Sequence, residues 1–292
     1  MEILIDERFD NKTVKEVIYK LNISTRLLTR LKALENGIEV NGVRQTVRYV
    51  LKAGDTLSLA IDDTTRSKTI VPFPAHVEIL WEDDWYIAVA KPPHIPTHPA
   101  RRHQLDTLAS RMAHLKQGEN FIFRALTRLD LDTSGAVILA KNQLAANEFS
   151  KLLIQRRVNK EYTAVCLGKI PSCAGIINEP IYRPDPSSIL RATGMGDEAI
   201  TEFTLLKTSE GASLVSVSPI TGRTHQIRVH FKHLGYPVLA DTLYSCASPL
   251  IDRQALHASK ISFVHPFTKE HTSIFCPLFS DMEHCIKELF GD

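Results

Sequence analysis

A polar, proline-marked stretch at residues 62–75, carrying Asp62-Asp63-Thr64-Thr65 and Pro72-Phe73-Pro74, interrupts the hydrophobic patterning of the chain. Proline removes a backbone donor and a polar run buries little surface, so such a stretch links folded units. It predicts a small domain over residues 1–61, a linker over 62–75 and a larger domain over 76–292. A length of 292 residues accommodates two unequal domains, and 43% hydrophobic residues supply their cores. No run of about 18 apolar residues occurs, and Met1 to Arg8 lack the basic-then-apolar order of a secretory leader. The five cysteines, Cys166, Cys173, Cys246, Cys276 and Cys285, include no C-x-x-C pair. The expectation is a cytoplasmic monomer with reduced thiols, no metal site and no membrane segment.

A formal charge of +2 conceals an asymmetry: between Lys12 and Lys52 nine basic residues face three acidic ones. Val14, Val17, Ile18 and Leu21 repeat at helical spacing, and Ser24 is placed to cap a second helix with Leu27, Leu28, Leu31 and Leu34 on one face. Arg26 and Arg30 share a neighbouring face, with Lys32 beside them, forming a cationic ridge. Ile38-Glu39-Val40 and the turn pair Asn41-Gly42 predict a hairpin, and Thr56-Leu57-Ser58-Leu59 alternates as a strand. Charge alone reads as a solvated face. The fuller pattern, Arg26-x-x-x-Arg30-Leu31-Lys32, Gly37-Ile38-x-Val40-Asn41-Gly42 and Val50 through Gly54-Asp55, resembles the S-four RNA-binding domain over residues 2–60. That resemblance implies a small α/β module whose Arg26, Arg30 and Lys32 hold RNA phosphates.

The remainder is strand-rich. Val77 to Trp81, Tyr86 to Ala90, Ala136 to Ala140, Tyr162 to Cys166, Leu214 to Val217 and Ile261 to Val264 read as strands, the first two about a turn at Glu82-Asp83-Asp84. Helical patterns are fewer, at Leu105 to Lys116, Gln143 to Arg156 and Thr224 to Leu234. Helices interspersed irregularly predict an α+β fold on a mixed, mainly antiparallel sheet rather than a regular βαβ wind.

Four segments concentrate polar chemistry. Arg128-Leu129-Asp130-Leu131-Asp132-Thr133-Ser134-Gly135 runs into an apolar strand, and by itself is explained by a structural turn. In Thr221-Gly222-Arg223-Thr224-His225-Gln226-Ile227-Arg228-Val229-His230, Thr224 is placed to cap a helix; His225 and His230 are spaced for different faces and suit structural rather than ligand roles. Arg156 to Ala164 is a basic turn entering a strand with Tyr162, and Lys91-Pro92-Pro93-His94-Ile95-Pro96 is a rigid loop.

Taken in this order, these segments resemble the RluA-like RNA pseudouridine synthases over nearly all of residues 76–290. Lys160-x-Tyr162-x-Ala164, Ala199-x-Thr201-x-Phe203, Gly235-Tyr236-Pro237-Val238 with Asp241, Leu256-His257-Ala258 and His265-Pro266 extend the match, while Thr127 stands where the family has a histidine. The resemblance implies a pseudouridine synthase fold, an RNA partner, no cofactor, and a reaction in which uracil leaves the ribose through nitrogen and returns through carbon. It implies Asp130 as the reacting carboxylate and Arg228 as the charge that keeps it ionised. It makes Tyr162 the ring that holds the uracil and an acid-base group. Arg128 is the side chain that fills the gap left by a flipped base; Arg223, His225 and Gln226 join the RNA-contacting set. Large-subunit ribosomal RNA is the leading substrate, because S-four domains accompany that specificity in many relatives; transfer RNA is the alternative.

Two rival classes are weighed against this. A glycoside hydrolase using Asp130 and Asp132 is disfavoured, since carboxylates two apart on a strand share one side instead of flanking a bond. A non-catalytic RNA-binding or assembly factor leaves Asp130, Tyr162 and Arg228 without a purpose. Gly194-x-Gly196-x-x-Ala199 matches a dinucleotide fingerprint only nominally, because Ile200 to Leu206 continues as strand.

Overall fold

The computed structural model describes residues 2–21, 23, 25–60, 70–100 and 105–291. Ser24, the Arg26 side chain and residues 62–69 of the expected linker lie outside the described residues. The N-terminal part comprises β1 (Glu2–Leu4), α1 (Val14–Lys20), α2 (Thr25–Ala33), β2 (Ile38–Val40), β3 (Val43–Arg44) and β4 (Thr56–Leu59). Thr13 starts α1 with a reciprocal cap: its hydroxyl accepts from the Glu16 amide, and the Glu16 carboxylate accepts from the Thr13 amide at 2.8 Å. α2 buries Leu27, Leu28 and Leu31, but ends at Ala33, so Leu34 falls outside the helix and is exposed. A Cβ on Gly37 would sit 1.8 Å from the Leu31 carbonyl oxygen, so only glycine permits this return into β2. Asn41 and Gly42 both take positive φ, as the tight hairpin between β2 and β3 requires. The four strands pair antiparallel in the order β1-β4-β2-β3, and both helices share a core with Leu57 and Leu59.

The larger part contains β5 (Glu78–Glu82), β6 (Tyr86–Lys91), α3 (Leu108–Leu115), β7 (Ser134–Ala140), α4 (Gln143–Ile154), β8 (Val158–Leu167), β9 (Ala174–Asn178), β10 (Ile181–Tyr182) and β11 (Ala192–Thr193). It continues through β12 (Ile200–Thr208), β13 (Ala212–Pro219), α5 (Gln226–His233), β14 (Leu256–Val264), β15 (His271–Phe275) and α6 (Ser280–Phe290). One sheet runs β5-β6-β7-β14-β8-β13-β12-β9, with β15 beside β14, while β10 and β11 form a separate pair. Its pairings are antiparallel except β7 with β14, which makes this the expected mixed, mainly antiparallel α+β fold.

Helices cover both faces. Tyr86, Ala88, Ala136 and Ile138 pack against α4, whereas Ile87, Val89, Val137 and Leu139 pack with Leu108 and Met112 of α3. Strands covered on both sides read as unbroken apolar runs, as β6 and β7 do. Farther along, α5 packs on Ala164, Val215 and Val217, and α6 packs on the opposite face with Val165 and Leu214. The sequence patterning did not include α6. Among the described residues no helix is long and apolar enough to cross a membrane.

The parallel contact is short, pairing His257 with Ser134 and Ala258 with Gly135. Ala258 also pairs with Tyr162 on its other side, so this seam brings the start of β7 near β8. Gly135 has φ +121°, and a Cβ there would lie 2.4 Å from the Ala258 carbonyl oxygen. Gly135→Ala is expected to lower stability by more than about 3 kcal/mol in urea denaturation, combining strain with a backbone collision. Gly118→Ala serves as the comparison: φ is +94° but nothing lies within 4 Å, so about 1–2 kcal/mol is expected.

Candidate active site

Asp130 lies in the irregular segment just before β7, not on a strand as the sequence reading assumed. Its main chain turns sharply, the Thr133 amide donating to the Asp130 carbonyl at 3.2 Å. This turn sends the two carboxylates different ways. Asp132 Oδ1 meets His94 Nδ1 at 3.0 Å, whereas Asp130 faces a cleft of about 1040 Å³. Buried cations brace the segment through its carbonyls. Lys91 Nζ donates to Pro92, Ile95 and Leu131 at 2.8–3.0 Å, tying the proline-rich loop to the Asp130 turn. Arg253 donates to the Asp132 carbonyl at 3.2 Å while paired to Asp281 at 2.6 Å. Burial pulls the Lys91 ammonium down to about 7, opposed by the Asp132 and Asp130 charges.

Arg228 projects from the first turn of α5 and is 4% exposed. Its Nε and Nη2 donate to the two oxygens of the fully buried Asp241, each at 2.6 Å, and its Nη1 donates to Asp130 Oδ2 at 3.1 Å. Burial opposes the guanidinium charge, but the Asp241 and Asp130 carboxylates outweigh it and raise the Arg228 pKa. The Tyr244 ring lies 5.2 Å from this guanidinium.

Tyr162 lines the same cleft from β8. Burial, and then the Asp130 charge, push its phenol well above the usual range. The phenol therefore keeps its proton, so it can pack its ring against a planar group and donate a hydrogen bond. Thr127, in the histidine's place, accepts from the Ile138 amide at 3.1 Å and so anchors the chain to β7. Arg128 is exposed at the cleft, and Arg223 is exposed there too, donating to the Glu198 carbonyl at 2.9 Å.

Other expectations are corrected. Gln226, read as an RNA contact, is buried with its amide fully used: Oε1 accepts from the Thr221 hydroxyl and the Arg223 amide, and Nε2 donates to the Ile200 carbonyl and Thr201 hydroxyl. It holds the 221–226 turn against β12. The α5 cap is His225 at φ 58°, not Thr224, and its side chain makes no capping bond. His230 is structural as read, with ring nitrogens on the Thr201 hydroxyl and Glu179 carbonyl. Arg30 and Lys32 belong to α2 and do not line this cleft. Tyr244 was not singled out and Asp241 only as part of the resemblance: the side chains they answer lie 13 residues away for Asp241 with Arg228 and 19 for Tyr244 with His225, which match no short period in the sequence.

Residues 85–233 match the family described as RNA pseudouridylate synthase. A Bacillus subtilis protein described as the uncharacterized RNA pseudouridine synthase YjbO is 37% identical, over 94% of this chain and 98% of that protein. The chain belongs to the RNA pseudouridylate synthase family. The ribosomal large subunit pseudouridine synthase C of Vibrio parahaemolyticus is 31% identical, over 84% of this chain and 82% of its own. Among solved structures, Human RNA Pseudouridylate Synthase Domain Containing 1 superposes with a TM-score of 0.60 at 26% identity, covering 72% of this chain and 87% of that one. The synthase thus places its candidate groups on the sheet of a known enzyme fold.

Asp241 is the group on which Arg228 depends. Asp241→Ala leaves a buried guanidinium with two donors unmet, and should destabilise the synthase by about 3–5 kcal/mol in urea denaturation. A loss below about 1 kcal/mol would mean that water replaces the carboxylate.

Proposed function

We propose that this synthase isomerises specific uridines of structured RNA, large-subunit ribosomal RNA foremost, with Asp130 as the reacting carboxylate and no cofactor. The observation that carries the reading is the 3.1 Å contact of Arg228 with Asp130 in a cleft whose wall carries Tyr162. Pseudouridine formation needs no oxidant or energy source. The bond from ribose C1′ to uracil N1 breaks, the base turns, C1′ bonds to C5, the C5 proton is lost and N1 gains one. An ionised Asp130 initiates this at the nucleotide, and Arg228 keeps it ionised once the substrate excludes water. Tyr162 packs against the uracil during rotation. Arg128, exposed two residues before Asp130, fills the duplex when the base is flipped out. Relatives that carry ribosomal names support the substrate class.

In this reading residues 1–61 are an S-four-type RNA-binding domain, 62–75 a linker and 76–292 the catalytic domain. The compact sheet with two helices and the excess of basic residues support the first assignment. Mapping pseudouridines in total RNA from cells with and without the gene separates ribosomal from transfer RNA targets.

Asp130→Asn preserves shape but not charge. Turnover should fall more than about a thousandfold with RNA affinity retained, and a loss within about tenfold would overturn the assignment. For the N-terminal domain, replacing Arg26, Arg30 and Lys32 together by Gln should flatten the plot of log affinity against log salt. Each lost phosphate contact is worth a slope of roughly 0.7–0.9, read by filter binding at several salt concentrations. An unchanged slope would make this ridge a solvated surface.

A further inference from the structure

His225 occupies the left-handed region at φ 58°, ψ 18°, a conformation that costs a residue with a Cβ about 1–2 kcal/mol. Nothing is recovered as a helix cap, since its side chain makes no capping bond. Strain held at such a place calls for a reason in what the side chain touches. Its ring is largely buried between Asp130 and Tyr244. Nδ1 lies 2.8 Å from the Tyr244 hydroxyl oxygen, and Nε2 lies 3.9 Å from Asp130 Oδ2.

The positions of the protons follow from counting donors. The Arg191 main-chain amide donates to the Tyr244 oxygen at 2.9 Å. The single phenolic proton is then free to go to His225 Nδ1, and only that arrangement satisfies all three groups. If Nδ1 carried a proton instead, two N–H groups would converge on the Tyr244 oxygen and its own proton would lack this acceptor. Nδ1 is therefore bare, and a neutral imidazole carries its proton on Nε2, the nitrogen 3.9 Å from Asp130 Oδ2. Neutrality is favoured by the surroundings: burial lowers the His225 pKa, Arg228 and Arg191 add to that, and Asp130 and Asp241 oppose it. Lys232 also stands 5.6 Å from the Tyr244 ring centre.

The same count distinguishes the two oxygens of Asp130. Arg228 Nη1 and His225 Nε2 both approach Oδ2. Among the described residues no donor reaches Oδ1. Resting on the proposed role of Asp130, we propose that Tyr244, pinned by the Arg191 amide, locks His225 as its Nε2–H tautomer, so that Asp130 is bonded by Arg228 at Oδ2 with the positive edge of the imidazole 3.9 Å from that same oxygen, which leaves Oδ1 to react. His225 and Tyr244 are thus positioning residues for the carboxylate. Arg191 lies in the segment between β10 and β11, so that segment contributes to the orientation of the reacting group as well as to the surface.

The test begins with the unaltered full-length synthase labelled with 15N-histidine, its His225 resonances assigned by comparison with His225→Gln. A bare Nδ1 and a protonated Nε2 are expected; a protonated Nδ1 in the neutral ring overturns the proposal. This measurement does not depend on whether Asp130 reacts, which Asp130→Asn decides separately. Tyr244→Phe then keeps the ring against Arg228 but removes the phenolic proton. Protonating Nδ1 no longer has to break a hydrogen bond, so the His225 pKa, followed by its 15N shifts, should rise. At the optimum kcat should fall about tenfold, as when partners that orient a reacting side chain are removed, with KM little changed. A folded Tyr244→Phe variant whose His225 titrates as in the parent and whose kcat is unchanged would overturn the lock.

Discussion

The guanidinium of Arg228 is out of water and cannot give up its charge, so its donors must be met by the protein. Asp241 meets two of them with a planar, two-pronged contact, which fixes the orientation of the whole side chain. Only the remaining edge is left to face Asp130. Had Arg228 a single carboxylate partner, that partner would be held as a structural counter-ion, its oxygens both engaged. With Asp241 in that role, Asp130 can be charged, oriented and still have an oxygen open to the cleft.

The sheet supplies the geometry for this contact. A mainly antiparallel sheet has one parallel seam, between β7 and β14, and Gly135 is what lets the strands approach there. The Asp130 turn enters β7 at that seam, and Tyr162 is reached across one strand through Ala258. The turn's side chains meet Arg228, His94 and Gln254, and its main-chain carbonyls are tied down by Lys91 and Arg253, whose donors are spent on peptide oxygens and on Asp281. A loop so braced holds the Asp130 carboxylate without needing bulk around it, which leaves the cleft open.

Charge divides by depth. Arg228, Lys91 and Arg253 are buried and hold the protein to itself, whereas Arg128 and Arg223 are exposed at the cleft and Lys32 is exposed on α2. Exposed arginines can exchange water for phosphate at little cost; buried ones have already lost their water and are committed to internal partners. The same separation puts Gln226 among the internal groups, although it sits in the densest polar motif of the chain.

Features that depend on neighbours in sequence were legible without the fold. The helices α1 to α5, the hairpin at Asn41-Gly42, the apolar strands and the motifs around Asp130, Tyr162 and Arg228 all follow from short-range periodicity, turn chemistry or matched spacing. Even there local rules failed at particular residues: Thr224 reads as a cap until the backbone puts His225 in the left-handed region, and Asp130 with Asp132 read as one strand face until a turn separates them. What only the tertiary structure decided is which polar groups answer one another. Arg228 meets Asp130 across 98 residues, Arg191 reaches Tyr244 across 53, and Lys91 reaches Leu131 across 40. Spacings of that size carry no period, because a hydrogen bond is set by distance and direction in space, and those exist only after the strands have paired and the helices have closed over them.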